Sequence, residues 1–142
     1  MKALLTTVLL LLCAAQRPAA AQSARHVTLE AQHLPAMKAG AAQDLKIFFH
    51  PKKGIHINLH PALQIAIGKN SAAASVGAIH TVKDANGYLN PAHPVTVHIT
   101  ASPDLPKGKQ MVKLTVVYYL CSDAEGWCNR DQQTLDVPVT VK

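Results

Sequence analysis

The sequence lacks the motifs on which most hydrolytic and phosphate-handling enzymes depend. It has no Gly-x-Ser-x-Gly segment, no glycine-rich phosphate loop and no obvious catalytic triad. Charged residues make up 15% of the 142 residues, and the 14 basic side chains are scattered, with Lys52 and Lys53 as the one adjacent pair. Such a distribution does not form the basic surface typical of nucleic-acid-binding proteins. These absences leave redox chemistry and non-catalytic binding as the functions to weigh.

The chain also has no long apolar run beyond its first residues. A lysine near the start precedes an apolar run over residues 4–15, and three alanines follow at 19–21. These are the features of a secretory signal peptide, and the run is too short for a good transmembrane helix. We therefore expect residues 1–21 to be a signal peptide that is removed on export. Residues 22–142 are then predicted to be a single domain with no membrane span.

Cysteine is scarce, since the chain has three and Cys13 would leave with the signal peptide. Cys121 and Cys128 would remain in an exported protein, where disulfides form and persist. The segment 114–120 is rich in β-branched and aromatic residues, and the polar loop that follows contains Gly126. With a second strand-like run after the loop, this pattern predicts a β-hairpin with one cysteine at the end of each strand. The two sulfurs can then bond with little backbone movement.

Chemistry alone leaves the role of this pair open between a structural staple and a redox-active disulfide. The closed loop is short, so the entropic stabilisation is only roughly 2.5 kcal/mol, and a domain of this size does not depend on it. A hairpin tip also gives an attacking thiolate access to the disulfide. Tyr118, Tyr119 and Trp127 flank the pair. Alternation places one of the two tyrosines in the core, and each aromatic residue either packs there or joins an apolar docking rim around the disulfide.

The rest of the exported chain has the pattern of short strands separated by proline and glycine. Pro138 lies in the last of these strands, which predicts an edge position or a bulge. No long helical period appears, so seven to nine strands predict an all-β, immunoglobulin-like antiparallel β-sandwich. The predicted strands span residues 27–31, 44–50, 55–59, 62–67, 75–82, 95–100, 111–120 and 134–141.

Residues 117–128 resemble the active-site hairpin in the N-terminal periplasmic domain of the thiol:disulfide interchange protein DsbD. The family pattern is a strand with a tyrosine near its end, a cysteine, a short loop with Asp, Ala and Gly, an aromatic residue and a second cysteine. The strands at 54–58 and 94–99 are also similar to strands of that family, so the resemblance spans most of residues 27–141. Asp84 to Tyr88 is the nearest match to the family's acidic and aromatic cap over the disulfide.

The resemblance implies a periplasmic module that exchanges electrons through Cys121 and Cys128 with thioredoxin-like proteins, or with a membrane thiol conduit. It implies that a donor thiolate attacks Cys128 to form a mixed disulfide, and that His56 and Asn58 hydrogen-bond the site. The residues agree with this order of attack, because Cys121 ends the most apolar strand and should be the more buried sulfur. No cofactor and no metal is expected, and the chain would act as a component of a thiol:disulfide oxidoreductase system.

The alternative is a non-catalytic immunoglobulin-like module that binds a protein, copper or zinc, with the disulfide as a staple. The sequence contains eight histidines. In a strand, His56, Asn58 and His60 would point to one face, which a periplasmic metal carrier could use. No compact Cys/His spacing of the zinc-finger kind accompanies them, so no metal-ligand set is predicted.

Overall fold

The computed structural model describes residues 25–142, and the predicted signal peptide at residues 1–21 lies outside the described residues. In the described range, no helix is long and apolar enough to cross a membrane. The chain folds there into eight β-strands, which are β1 (Val27–Ala31), β2 (Ala42–Pro51), β3 (Ile55–Asn58), β4 (Gln64–Ile67), β5 (Ala73–His80), β6 (Val95–Ala101), β7 (Gly108–Ser122) and β8 (Trp127–Val141).

The strands form two antiparallel sheets that face each other. The first sheet has the order β1-β2-β6-β5. In the second sheet, β8 pairs with β7 along its full length, while β3 and β4 pair with successive parts of the opposite edge of β7. The second sheet is therefore three strands wide, with β7 in the middle, β8 at one edge, and β3 and β4 at the other. The predicted all-β antiparallel sandwich is confirmed.

Alternation of the side chains along the strands builds the core between the sheets, although Val117 on the outer face of β7 is also buried. In β7, Val116, Tyr118 and Leu120 are buried and face the first sheet, whereas Thr115 and Tyr119 are half-buried on the outer face. A slip of the strand pairing by one residue would turn this whole set of side chains outward. Since fully burying one such apolar side chain contributes roughly 1.5–3 kcal/mol, the register is strongly specified. The first sheet contributes Val27, Leu45, Ile47, Phe49, Val95, Val97 and Ile99 to the same core. This register also fixes which side of the sheet carries Cys121.

The β7–β8 hairpin is longer than the sequence pattern predicts. The pattern indicates a last strand over residues 134–141, whereas β8 begins at Trp127 and pairs with β7 residue by residue up to the turn. Residues 129–132 are polar because β8 is an edge strand whose outer side faces solvent. The sequence pattern of a strand is therefore missing in this part of β8. Pro138 lies in this edge strand opposite Met111, as predicted.

A buried glutamine joins the two sheets. Gln133 Nε2 donates one hydrogen bond to the main-chain oxygen of Val27, at 2.9 Å, and another to the hydroxyl of Tyr118. The Tyr118 hydroxyl in turn donates to Asp131 Oδ2 at 2.7 Å. Burial of the ring, followed by the hydrogen bond to Asp131, raises the pKa of Tyr118 well above its ordinary value. The phenol is therefore held neutral as a fixed donor, and β1 is tied to the second sheet.

Candidate functional site

The two cysteines lie directly opposite each other at the closed end of the β7–β8 hairpin. Cys121 and Cys128 are register partners with Cα atoms 4.1 Å apart, and they form a disulfide. The strand pairing continues to Ser122 and Trp127, so the turn itself contains four residues, 123–126. Gly126 has a φ of 69°, a left-handed conformation that glycine adopts without strain. The predicted hairpin, with one cysteine on each strand, is confirmed.

The disulfide lies on the outer face of the second sheet. Tyr118 and Leu120 face the core, so Cys121, one residue further along β7, points away from it. Cys121 is nevertheless only 5% exposed, whereas Cys128 is exposed. The prediction that Cys121 is the more buried sulfur is confirmed. The difference in exposure arises from what lies beside each strand, because β8 is an edge and β7 has β3 as its other neighbour.

Strand β3 supplies two polar side chains beside Cys121. His56 is the register partner of Cys121, and Asn58 lies two residues further along on the same face. A side chain at this diagonal position can reach across the strand pair, and Asn58 Nδ2 donates a hydrogen bond to Cys121 Sγ at 3.1 Å. A disulfide sulfur has no proton to donate, so only the NH₂ side of the amide can make this contact. His56 and Asn58 lie near the cysteines as predicted, and Asn58 makes the predicted hydrogen bond, whereas among the described residues His56 makes no hydrogen bond to either cysteine.

A short hairpin brings Tyr88 over the same side of the disulfide. We call residues 83–89 the cap segment, since Lys83 and Leu89 form an isolated antiparallel bridge at its ends. Asp84 Oδ1 accepts hydrogen bonds from the backbone N–H groups of Asn86 and Tyr88, both at 2.9 Å, which closes the turn. The N–H of Leu89 donates to the carbonyl of Ile57 at 2.9 Å and so anchors the cap segment to β3.

The ring of Tyr88 stacks on the ring of His56. Their centroids are 3.8 Å apart and the two planes differ by 25°. His56 also has its Nδ1 atom 3.6 Å from Asp123 Oδ2, in the turn between the two cysteines. The imidazole is thus placed between the cap segment and the hairpin turn, and it covers the side of Cys121 that faces β3.

These residues line one groove of about 310 Å³, which we call the disulfide groove. Six of the eight predicted site residues line it, namely His56, Asn58, Tyr88, Cys121, Trp127 and Cys128. The other lining residues are Ser122, Asp123 and Gly126, which lie between the two cysteines. In this disulfide the sulfur of Cys121 is covered and hydrogen-bonded, whereas Cys128 is exposed. Such a disulfide can undergo thiol–disulfide exchange at the exposed cysteine.

The two tyrosines of β7 lie outside the disulfide groove. Tyr118 is fully buried and packs edge-on against Phe49 of the first sheet, with ring centroids 5.6 Å apart. It is the core member of the tyrosine pair and forms no docking surface. Tyr119 is half-buried on the outer face, between Asn58 and Arg130 in the register. Its place on the disulfide-bearing face leaves it available as part of a surrounding rim.

Trp127 stands at the boundary between the core and the disulfide groove. It is half-buried and packs against the hydrophobic core, and its ring lies 4.9 Å from that of His26. Its indole N–H donates to the carboxylate of Glu125 in the turn. Trp127 therefore closes the end of the sandwich and also lines the groove, which combines the two roles considered from the sequence.

Sequence reasoning missed Asp123 and His26. Asp123 could have been found once the resemblance had placed His56 near the cysteines, because Asp123 lies in the turn that begins two residues after Cys121. His26 carries no such signal, since it meets Trp127 only through the packing of β1 against β8. Both residues add polar groups at the disulfide end of the sandwich.

The histidines do not assemble a metal site in the part of the chain that the structure describes. No group of three or more His, Cys, Asp or Glu side chains in residues 25–142 is arranged to hold a metal ion. His60, expected to share a face with His56, follows the end of β3 and lines a separate small cavity with Leu63 and Ile79. His98 pairs instead with Asp44, with Nδ1 and Oδ1 at 2.9 Å.

A larger cavity lies at the opposite end of the β7–β8 hairpin. Its volume is about 690 Å³, and its lining includes Leu105, Lys109, Met111 and Val139. None of the predicted site residues contributes to it.

No family model matches the chain, and no curated protein is significantly similar to it.

Proposed function

We propose that the protein is a periplasmic thiol:disulfide exchange module of the DsbD N-terminal type, working through Cys121 and Cys128. The single observation that carries the proposal is the asymmetry of the disulfide. Cys128 is exposed on an edge strand, while Cys121 is buried beside Asn58, His56 and Tyr88. A disulfide that only fastened two strands of a long hairpin would need neither an open sulfur nor a polar groove around the other one.

The geometry favours attack at Cys128. A thiolate displaces a disulfide sulfur along the line of the S–S bond, so access at the far side of the attacked atom is decisive. For Cys128 that line leaves the sheet over the free edge of β8. For Cys121 it crosses to β3, where Asn58, His56 and Tyr88 lie.

The reaction consists of two exchange steps with a dithiol partner. A partner thiolate forms a bond to Cys128 Sγ, the bond between the two sulfurs breaks, and the electron pair leaves on Cys121 Sγ as a thiolate. The second thiolate of the partner then attacks the partner's first sulfur in the mixed disulfide and releases Cys128 as a thiolate. The partner ends as a disulfide and the Cys121–Cys128 pair as a dithiol. A thioredoxin-like protein or a membrane thiol conduit is the proposed class of partner.

The strand order supports an immunoglobulin-like assignment for the sandwich. With β3 and β4 counted as one interrupted strand, a β1-β2-β6-β5 sheet faces a sheet of β3/β4, β7 and β8. This is the A-B-E-D and C-F-G arrangement of seven-stranded immunoglobulin domains. The disulfide here joins neighbouring strands F and G, rather than fastening the two sheets through the core. Its position on the outer face therefore supports a role in exchange.

Periplasmic location is part of the same proposal. Its support is the signal-peptide pattern of residues 1–21 together with the disulfide, which persists in oxidising compartments.

The reduction midpoint of the disulfide tests the proposal. Equilibration of the protein in thiol/disulfide buffers, followed by alkylation and mass spectrometry, gives the ratio of dithiol to disulfide. We expect a midpoint in the range of exchange proteins, above about −300 mV. A midpoint below that value, where structural disulfides lie, would mean that the bond is a staple.

The cavity of about 690 Å³ favours a second candidate, a non-catalytic binding module. Its volume lies within the range of small-molecule sites, and Met111 in its wall is 38% exposed. In that case the pair would be structural, and replacing both cysteines by serine would leave ligand binding intact. Calorimetry on that double variant with copper, zinc or candidate partners separates the two functions.

A further inference from the structure

Asn58 makes a direct contact with only one of the two sulfurs that the proposed reaction uses. Its Nδ2 atom lies 3.1 Å from Cys121 Sγ, and the side chain is half-buried between β3 and β7. In the disulfide this is a weak bond, because a neutral sulfur is a poor acceptor. The same N–H becomes a charge-assisted donor once Cys121 carries a negative charge, and such bonds are about twice as strong as neutral ones.

We propose that Asn58 is a catalytic residue that stabilises Cys121 as the leaving thiolate when Cys128 is attacked. The inference rests on the proposed exchange function and assigns a role that the exchange itself does not require. When the electron pair moves onto Cys121 Sγ, the amide donor is already in place and pays no reorganisation cost. The bond therefore strengthens along the reaction, which is what distinguishes a catalytic contact from a packing contact.

The surroundings of Cys121 make this donor important. Cys121 is only 5% exposed, so little water is available to solvate a thiolate there. Besides the two cysteines, the ionisable side chains that line the disulfide groove are His56, Tyr88 and Asp123, and His56 Nδ1 lies 3.6 Å from Asp123 Oδ2. Since His56 is directed to Asp123 and Tyr88, Asn58 is the side chain with a hydrogen bond to this sulfur among residues 25–142.

The role can be tested with two substitutions and a matched control. Asn58→Leu removes the donor at nearly constant volume, and Asn58→Asp replaces it with a like charge beside the developing thiolate. Asn129→Asp is the control, because it makes the same chemical change at an exposed position next to Cys128 in the sequence. In β8 that residue points to the opposite face from Cys128. Melting of the oxidised proteins reports separately on folding.

The first measurement is the rate of reduction of the oxidised proteins by dithiothreitol. We expect Asn58→Leu to be reduced about tenfold more slowly than wild type, which corresponds to a loss of about 1.4 kcal/mol of transition-state stabilisation. Asn58→Asp should be slower still, and Asn129→Asp should remain within about twofold of wild type. Equal rates for wild type and both Asn58 variants would overturn the proposal and leave the exchange function standing.

The second measurement does not depend on exchange at all. In a Cys128→Ser background the remaining Cys121 thiol can be titrated by the ultraviolet absorbance of its thiolate. We expect the pKa of Cys121 to be higher in Asn58→Leu than with Asn58 present, by at least about one unit. An unchanged titration would refute the role of Asn58 even if the wild-type disulfide proved to be a structural staple. A raised pKa together with a reduction midpoint in the range of structural disulfides would show that Asn58 stabilises the Cys121 thiolate, and it would refute the exchange function and with it the catalytic role.

Discussion

The strongest expectation for the proposed reaction is that small thiols attack Cys128 in preference to Cys121. Approach to Cys121 requires that the Tyr88 ring leave His56 and that the Asn58 amide leave the sulfur. Approach to Cys128 requires neither movement, because its strand forms the free edge of the sheet.

The expected selectivity can be estimated from those two contacts. An aromatic stack contributes about 0.5–1.5 kcal/mol, and a neutral hydrogen bond about 0.5–1.5 kcal/mol. Their sum, about 1–3 kcal/mol, corresponds to a preference for Cys128 of roughly 5- to 150-fold. Replacing Tyr88 by alanine removes the first contribution, so the preference should fall by roughly 2- to 12-fold. Tyr88→Phe keeps a ring over His56 and serves as the control.

The assay locates the first mixed disulfide. The oxidised protein is exposed briefly to glutathione, free thiols are alkylated at once, and peptide mass spectrometry measures the share of glutathione on each cysteine. Single-serine variants give an independent check, since Cys121→Ser should trap a thioredoxin-like partner that lacks its resolving cysteine and Cys128→Ser should not. Equal labelling of both cysteines in wild type, or labelling of Cys121 alone, would refute the reasoning.

Three further predictions concern stability. Tyr118→Phe should lower the free energy of unfolding in urea by about 1–2 kcal/mol, because it removes the buried donor to Asp131; a loss under about 0.5 kcal/mol would contradict this. The pKa of Tyr118 is raised in the folded state, so the unfolded chain ionises first and stability should fall as pH climbs above about 10. Urea midpoints near pH 9 and pH 11 should show a steeper fall for wild type than for Tyr118→Phe, and parallel curves would count against it. The Cys121→Ser, Cys128→Ser double variant should keep its strand content by circular dichroism and lose roughly 2.5 kcal/mol; an unfolded variant would show that the bond is essential to the fold.

Much of the fold could be predicted because the strands alternate. The predicted bounds of β1, residues 27–31, agree with the structure, and those of β6 differ by one residue. The first half of β8 was not predicted as a strand because residues 129–132 have polar side chains. This part is a strand because it pairs with β7 and not because of its intrinsic propensity. The sandwich itself followed from the number and spacing of the strands, whereas which strand pairs with which is set by long-range packing.

The candidate site was predictable where it depends on local pairing. The position of Cys121 opposite Cys128 follows from the hairpin, and Asn58 was expected near them. Alternation left open which tyrosine enters the core, since Tyr118 and Tyr119 are equally suited to it. Contact with the opposite sheet through Phe49 selects Tyr118. The stack of Tyr88 on His56 depends on the docking of the cap segment onto β3, which no local pattern encodes.

The length of the β7–β8 hairpin separates the two ends of the described chain. His26 lies against Trp127 at the disulfide end, while Val141 pairs with Gly108 fourteen ladder steps away, or roughly 45 Å for strands of this kind. A tag or tether joined ahead of Arg25 would therefore begin at the same end of the sandwich as the disulfide. A tether joined after Lys142 would hold the protein by the end opposite to Cys128. The protein should therefore be immobilised through its C-terminal side for partner capture.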